Sequence, residues 1–133
     1  MAVLWTMTDP FHALGRPRVR VRARQRGSAT VVAVRGEVDL ATAPELAGKL
    51  AQLSPSAMRD LVVDLDGVDH LGSAGLSTLV HLRASVHECG GTLRLVCGRA
   101  QIRRLFRLTD LDKMFALYGT VTAALGADDF LRG

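Results

Sequence analysis

The sequence predicts a single α/β domain in which a mixed sheet of four to five strands has helices packed against it. Two observations lead to this fold class. After an opening pair of strands, apolar segments with strand and helix character alternate along the chain, and this pattern is typical of a sheet covered by helices. The length of 133 residues suits one domain, and such a chain buries enough surface to fold without disulfides or metal.

The first two strands are predicted to form a hairpin. The stretch VRVRARQ (19–25) alternates with a period of two, so Val19, Val21 and Ala23 are predicted to face the core. A turn separates it from the more apolar TVVAVRG (30–36). The following EVDLA is predicted to be a loop.

A helix and a buried strand come next. Thr42 and Glu45 have the spacing of a capping box, which predicts a helix start at Thr42. Apolar residues at helical spacing continue to Leu53, and Ser54-Pro55-Ser56 is predicted to end the helix. LVVDL (61–65) is short and rich in valine, as expected of a strand covered on both faces.

The second half of the chain repeats this alternation. An acidic loop leads into a helix predicted over 75–88, which Gly90 and Gly91 end. The remaining predicted elements are a strand over 92–97, a helix over 99–108 with Ile102, Leu105 and Phe106 inward, a short strand over 113–119 and a closing helix over 120–126.

The domain is predicted to span residues 18–126, between an N-terminal tail over 1–17 and a C-terminal tail over 127–133. Cys89 and Cys97 form no CxxC pair and are expected to be reduced thiols. No apolar run approaches the roughly 18 residues that cross a bilayer, and the first residues lack the pattern of a signal peptide. We therefore expect a cytoplasmic protein without a transmembrane segment, and no cofactor or metal site.

The positive charge of the chain is local. The stretch from Arg16 to Arg26 holds six of the 17 basic residues and no acidic ones, which leaves 11 basic against 13 acidic residues elsewhere. A charged edge strand resists pairing with other sheets, which explains the stripe structurally. It would also attract phosphates or an acidic partner, but no aromatic residues interleave the arginines as nucleic-acid stacking requires. Direct nucleic-acid binding is therefore not expected.

The segment LDGVDHLGSAGLSTL (65–79) contains the candidate site. Ser73 lies between Gly72 and Gly75, at or beside the N-cap of the predicted helix. Helix N-termini have unpaired N–H groups and a partial positive charge, so the hydroxyl is either a helix cap or an accessible group that a phosphate would suit. A cap explains the serine but not the glycines on both sides of it.

Other chemistries are weaker alternatives. Asp69, His70 and Ser73 have the residue types of a hydrolase triad, but closeness in sequence is not the geometry of a triad. Asp64 is a candidate phosphoacceptor of a receiver domain, but the acidic pair that such a domain needs after its first strand is missing. A cation site at the aspartates of 64–69, or one shared by His81 and His87, has unsuitable spacing.

The chain resembles the STAS domains, and among them the bacterial anti-sigma factor antagonists. The resemblance covers about residues 18–126 and rests on four segments in order: VVAVRGEVDLATAPEL, LVVDLDGVDHLGSAGLSTLVHL, GGTLRLVC and IRRLFRLTDLDKMFAL. It implies a regulatory switch and no enzyme. Members of the family bind an anti-sigma factor, often a serine kinase of the histidine-kinase-like ATPase fold, and thereby release a sigma factor.

The resemblance also implies which residues form the site. The serine that the kinase phosphorylates, and that a serine phosphatase restores, falls on Ser73. The expected docking surface consists of Gly36, Glu37, Asp39, Thr42, Gly72, Ser73, Ala74, Gly75 and Ser77.

One position departs from the family pattern. Members commonly have an aspartate immediately before the serine, where this chain has Gly72. Two outcomes stay open: a kinase that does not need the acid phosphorylates Ser73, or the partner binds without a phospho-switch. An alternative function is a STAS-like accessory subunit of a transport or lipid-handling complex, whose basic strand would meet anionic headgroups.

Overall fold

The computed structural model describes residues 18–132, with side chains as far as Gly126, and shows five strands there in one sheet. The strands are β1 Val19–Arg26, β2 Ala29–Val38, β3 Asp60–Leu71, β4 Thr92–Val96 and β5 Ala116–Tyr118. Their order in the sheet is β1-β2-β3-β4-β5; β1 and β2 form an antiparallel hairpin and the following pairs are parallel. The predicted mixed α/β fold is confirmed.

Among the described residues, four helices connect the parallel strands, because parallel strands need a crossover connection, and a fifth helix follows the last strand. They are α1 Ala43–Leu50, α2 Pro55–Met58, α3 Ser73–Glu88, α4 Ala100–Leu108 and α5 Val121–Arg132, with a 3₁₀ turn at Leu111–Lys113. The last helix therefore extends beyond the predicted 120–126, and the 3₁₀ turn occupies part of the predicted strand over 113–119. In α4, Ile102 and Phe106 are buried as predicted, and Leu105 is half-buried.

The two faces of the sheet have cores of different size. Alternate residues of a strand point to opposite faces, so Leu61 and Val63 of β3 join the larger core while Val62 lies in a smaller one under α5. The larger core includes α1, α3 and α4. Helix α3 contributes Leu76 and Leu79 to it. This packing fixes the first turn of α3 near the carboxyl end of β3.

Strands β2 and β3 are longer than predicted, so the predicted loop after Leu65 is wrong and the predicted loop EVDLA is shorter than predicted. The first residues of EVDLA belong to β2, and β3 continues from the predicted end at Leu65 to Leu71. The two strands stay paired as far as Val38 and Leu71, with register shifts on the way. Val68 and Leu71 are buried among polar neighbours, so the glycine and acidic residues of this segment are compatible with a strand.

The edge strand β1 agrees only partly with its predicted pattern. Val19 is fully buried and Val21 is half-buried, but Ala23 is exposed rather than in the core. The even-numbered arginines from 20 to 26 are all exposed, as predicted. The core thus covers only the start of β1. The predicted N-terminal tail over 1–17 lies outside the described residues.

A buried arginine that the sequence analysis did not identify connects α5 to the sheet. Arg94 in β4 has a relative exposure of 4% and forms an ion pair with Asp60 at the start of β3. Its second terminal nitrogen donates a hydrogen bond of 2.7 Å to the carbonyl oxygen of Ala124 in α5. One side chain therefore joins two strands and the last helix.

The two cysteines are free thiols in different environments. Cys89 is exposed after α3, whereas Cys97 is buried after β4. Burial raises the pKa of the Cys97 thiol to about 11, so Cys97 is the less reactive of the two. Among the described residues, no helix combines the length and the apolar character that a membrane span needs.

We expect Arg94→Ala to lower the free energy of unfolding by about 3 kcal/mol, because it leaves the Asp60 carboxylate without its buried partner. Arg24→Ala is the matched control, since Arg24 is exposed on β1 and its loss should change stability by less than about 0.5 kcal/mol. Urea denaturation followed by circular dichroism measures both. Equal effects of the two substitutions would contradict a stabilising role of the Arg94 contacts.

Candidate functional site

The candidate site forms where β2 and β3 end side by side. Val38 and Leu71 are the last paired residues of the two strands, and the N–H of Gly72 donates a further hydrogen bond of 2.8 Å to the carbonyl oxygen of Val38. Beyond this point β2 continues into a turn over 39–42, and β3 continues into α3 at Ser73. The turn and the first residue of α3 are therefore neighbours.

Two polar side chains fix the turn over 39–42. The Asp39 carboxylate oxygen Oδ1 accepts hydrogen bonds of 3.0 Å from the N–H groups of Ala41 and Thr42. The Thr42 hydroxyl accepts one of 3.0 Å from the N–H of Asp39 and donates one of 2.7 Å to the carbonyl oxygen of Glu37. The turn is thus held from both ends by its own side chains.

These bonds show that the predicted capping box at Thr42 is wrong. Thr42 occupies the N-cap position of α1, but its backbone angles are helical and its side chain makes no cap hydrogen bond. The hydroxyl bonds to the preceding turn instead. Thr42 is also buried, with 6% exposure, so it shapes the predicted docking surface from below and offers a partner little contact area.

Arg18 attaches the turn to the start of the hairpin. Its guanidinium lies 2.8 Å from the Glu37 carboxylate and also pairs with Asp39. The hydrogen bond with Glu37 and the nearby charge of Asp39 raise the pKa of Arg18. The N–H of Thr42, the Thr42 hydroxyl and the Arg18 charge lower the pKa of the Asp39 carboxyl. The acidic residues of the predicted docking surface are therefore partly neutralised.

Ser73 is the first residue of α3 and is exposed. The N-cap position belongs to Gly72, and the helix start has no side-chain cap hydrogen bond. Ser73 is therefore beside the N-cap, and helix capping does not account for a serine at this position. Its hydroxyl lies at the positive end of a 16-residue helix, where the dipole favours a negatively charged group.

Two glycines of the predicted docking surface have structural roles. Gly36 has φ +104°, and a Cβ there would lie 2.0 Å from the carbonyl oxygen of Arg18. A Cβ on Gly75 would lie 2.5 Å from Leu71 Cδ1 and 2.7 Å from Val38 Cγ1. The first glycine lets β1 approach β2, and the second lets α3 approach the ends of both strands.

Gly72 has no comparable constraint. Its backbone is extended, with φ −89° and ψ 179°, and this conformation suits any residue. A Cβ there would have its nearest neighbours at 3.6 Å, at His70 Nε2 and the Val38 carbonyl oxygen, which is ordinary contact. The aspartate that the family pattern leads us to expect at position 72 would therefore be compatible with the backbone of this chain.

The exposed part of the site is smaller than the predicted surface. Ser73 and Ser77 are both exposed and lie one turn apart, so they share a face of α3. Ala74 is half-buried, and Glu37 is exposed on the neighbouring strand. A protein that docks here would meet hydroxyl groups, small side chains and the Arg18–Glu37 pair.

Leu40 was not predicted to belong to the site, but it is 84% exposed within the turn over 39–42. The available signal was a leucine outside any helical or strand pattern, directly after Asp39, a residue type that favours turns. It lies next to Asp39, whose Cα is 3.8 Å from the Cβ position of Gly72. The turn that carries this large apolar residue is therefore adjacent to the start of α3.

The described contacts do not assemble the hydrolase triad considered above. Asp69 pairs with Arg99 at 3.0 Å, and among the described residues neither His70 nor Ser73 makes a side-chain hydrogen bond to the other. Both His81 and His87 are exposed on α3.

The other aspartates of β3 serve the structure. Asp66 accepts a hydrogen bond of 2.7 Å from the N–H of Gly98, and Asp64 accepts one of 3.0 Å from the N–H of Asp66. Asp64 also lies within β3 rather than at its end, which does not suit a receiver phosphoacceptor. Among the described residues, no group of three or more His, Cys, Asp or Glu side chains is placed to hold a metal ion.

A five-stranded mixed sheet covered by helices, with an exposed hydroxyl and a fixed turn where two strands end, defines the class of the protein as a single α/β domain. The particular family follows from comparison with known proteins. The sequence model of the STAS domain matches residues 20–124, and the chain belongs to that family.

The similar proteins are anti-sigma factor antagonists. The anti-sigma-F factor antagonist RsfB of Mycobacterium tuberculosis is 32% identical over 109 residues, which are 80% of this chain and 87% of RsfB. The anti-sigma-B factor antagonist of Staphylococcus aureus is 33% identical over 90 residues, covering 67% and 83% of the two chains. The crystal structure of an anti-sigma factor antagonist from Mycobacterium paratuberculosis superposes with a TM-score of 0.71 at 34% identity, covering 82% and 92%. The predicted resemblance is confirmed.

The glycines at 72 and 75 allow a matched test of the site geometry. We expect Gly75→Ala to destabilise the domain by about 1–3 kcal/mol, because the new methyl group overlaps two buried side chains. Gly72→Ala should be neutral or should stabilise by up to about 1 kcal/mol, since it restricts the unfolded chain without strain. Chemical denaturation of both variants measures the difference, and a destabilising Gly72→Ala would show that position 72 is constrained.

The pH dependence of the turn follows from the lowered pKa of Asp39. A carboxyl with a folded pKa below its ordinary value of 3.8 stabilises the fold above that value, and the contribution is lost as the pH falls through the folded pKa. We expect the Asp39 carboxyl carbon to titrate below 3.8 in an NMR pH series, and the amide signals of Ala41 and Thr42 to shift with it. In Asp39→Asn these amide shifts should be absent, and titration at or above 3.8 would contradict the hydrogen-bonded turn.

Proposed function

We propose that this protein is an anti-sigma factor antagonist that binds its anti-sigma factor with the surface around Ser73 and the turn over 39–42. Binding would occupy the anti-sigma factor and so release a sigma factor. The identities of 32% and 33% to named antagonists support this assignment. The arrangement of an exposed helix start beside a fixed turn supports the location of the surface.

The main support for a phosphorylation switch at this surface is that the Ser73 hydroxyl is exposed and has no capping role. It is exposed at the first position of α3 and is not used as a cap. A kinase can therefore reach it without unfolding the helix. A phosphate at this position would be favoured by the helix terminus by up to about 2 kcal/mol if partly buried, so the folded domain would tolerate the modification.

Phosphorylation would change the affinity for the partner more than the stability of the fold. It adds a charge of about −1.5 to −2 at the start of α3, beside the turn that carries Asp39, whose charge Arg18 already partly neutralises. A partner surface complementary to a neutral hydroxyl would have to desolvate this charge without an opposite one. A cost of a few kcal/mol weakens a complex by a factor of about 100 or more.

The partner that we propose is an anti-sigma factor that is itself a serine kinase of the histidine-kinase-like ATPase fold, with a serine phosphatase that restores the hydroxyl. Gly72 has no carboxylate to present to such a kinase, but neither its backbone nor its packing is distorted. We infer that recognition of Ser73 depends on the exposed helix start and the neighbouring turn, and does not require an acid at position 72.

The test uses purified anti-sigma factors of the ATPase fold that are encoded in the same genome. Calorimetry should find one that binds wild type and Ser73→Ala with similar affinity and binds Ser73→Asp about 100-fold more weakly, because the added charge is desolvated in the complex. Ser56→Asp is the control, since Ser56 is exposed on α2, away from the site. With ATP, the kinase should add one phosphate at Ser73, located by mass spectrometry.

Three results would contradict parts of this proposal. If no anti-sigma factor binds the wild type, the proposed function is wrong. If wild type and Ser73→Asp bind equally while Ser56→Asp also has no effect, the protein binds without a phospho-switch. If Ser73→Ala is still phosphorylated, the acceptor is another hydroxyl.

A further inference from the structure

Leu40 is unusual among the exposed residues of this domain. Within the described part of the chain, three large hydrophobic side chains are exposed: Leu40 at 84%, Leu108 at 72% and Met114 at 40%. Isolated exposed leucines are common and need no explanation by themselves. Leu108 is the last residue of α4 and Met114 follows the 3₁₀ turn, whereas Leu40 lies in the turn beside the start of α3.

The turn holds the backbone on both sides of Leu40 in place. The Asp39 carboxylate accepts hydrogen bonds from the N–H groups of Ala41 and Thr42. The residues on both sides of Leu40 are therefore held in place. The Thr42 hydroxyl bonds back to Asp39 and Glu37. Because the backbone of the turn is already ordered, binding through Leu40 does not have to order the turn, and such preorganisation favours affinity.

The surroundings of Leu40 have the pattern of an interface. The N–H of Gly72 binds Val38, and the Cβ position of Gly72 lies 3.8 Å from the Cα of Asp39, so the turn touches the residue that precedes Ser73. Glu37, Ser73 and Ser77 are exposed polar residues on the adjoining elements. An apolar group with a polar rim is the common anatomy of a protein–protein contact.

We propose that Leu40 is the apolar anchor of the interaction and inserts into a hydrophobic pocket on the anti-sigma factor. This inference rests on the proposed function, because it names the residue that supplies affinity at the surface that contains Ser73. It also explains how one modification can release the partner. A phosphate on Ser73 would add a negative charge to this contact surface, and removing that charge from water without an opposite charge is costly.

The test compares Leu40→Ala with Leu108→Ala, a matched removal of an exposed leucine far along the chain. The probe is the purified anti-sigma factor that binds wild type in the calorimetric screen above. Burying a leucine predicts that Leu40→Ala raises the Kd about 10- to 100-fold, mainly through faster dissociation. Leu40→Met keeps an apolar side chain of similar size and should stay within about threefold of wild type. Leu108→Ala should stay within about twofold.

A loss of binding can be distinguished from unfolding, and a failure of the Leu40 proposal can be distinguished from a failure of the proposed function. Because Leu40 is exposed, Leu40→Ala should leave the midpoint of urea unfolding unchanged, so a weaker Kd cannot be attributed to unfolding. If wild type binds and Leu40→Ala binds equally well, Leu40 is no anchor, while the proposed function stands. If wild type binds no anti-sigma factor, both proposals are overturned.

A second copy of the chain is another occupant that the test can detect. Sedimentation of wild type and Leu40→Ala at the same concentrations should give the same mass. A dimer that only wild type forms would show that Leu40 binds a second copy, and this result would overturn the proposed pocket on the anti-sigma factor.

Discussion

The parallel pairing of β2 with β3 is the constraint on which the rest of the site depends. Since the pairing continues to Val38 and Leu71, the two strands deliver a turn and a helix start to the same place. Gly75 then lets α3 approach these strand ends, where any side chain would overlap Val38 and Leu71. The position of Ser73 is therefore set by main-chain hydrogen bonds and by contact between buried groups, and does not depend on loop conformation.

The residues around the site divide into those that build it and those that a partner can touch. Gly36, Gly75 and Thr42 build it, because they permit close approach of the backbone or hold the turn. Ser73 and Leu40 are exposed and make no contribution of this kind. The backbone of this surface can therefore be rigid while the identity of its exposed side chains changes.

The sequence predicted the fold and the position of Ser73 because both depend on local patterns. Period-two alternation identified β1, and helical spacing identified α3 and α4. The extension of β3 to Leu71 could not be predicted, since its acidic residues and glycine mimic a loop and only pairing with β2 makes them a strand. Thr42 has the sequence pattern of a helix cap, but its hydroxyl bonds to the preceding turn. Arg94 can be buried because it pairs with the Asp60 carboxylate and donates to the carbonyl oxygen of Ala124. These outcomes depend on residues distant in sequence. The predicted docking residues and domain boundaries stay predictions.

The freedom of position 72 has a consequence for duplicated genes. A site with ordinary backbone angles and room for a side chain can change its residue at little cost in stability. Two descendants of one ancestral gene can therefore differ there while they keep the same sheet, turn and helix start. A binding partner that contacts this position could then discriminate between the two copies and bind only one of them.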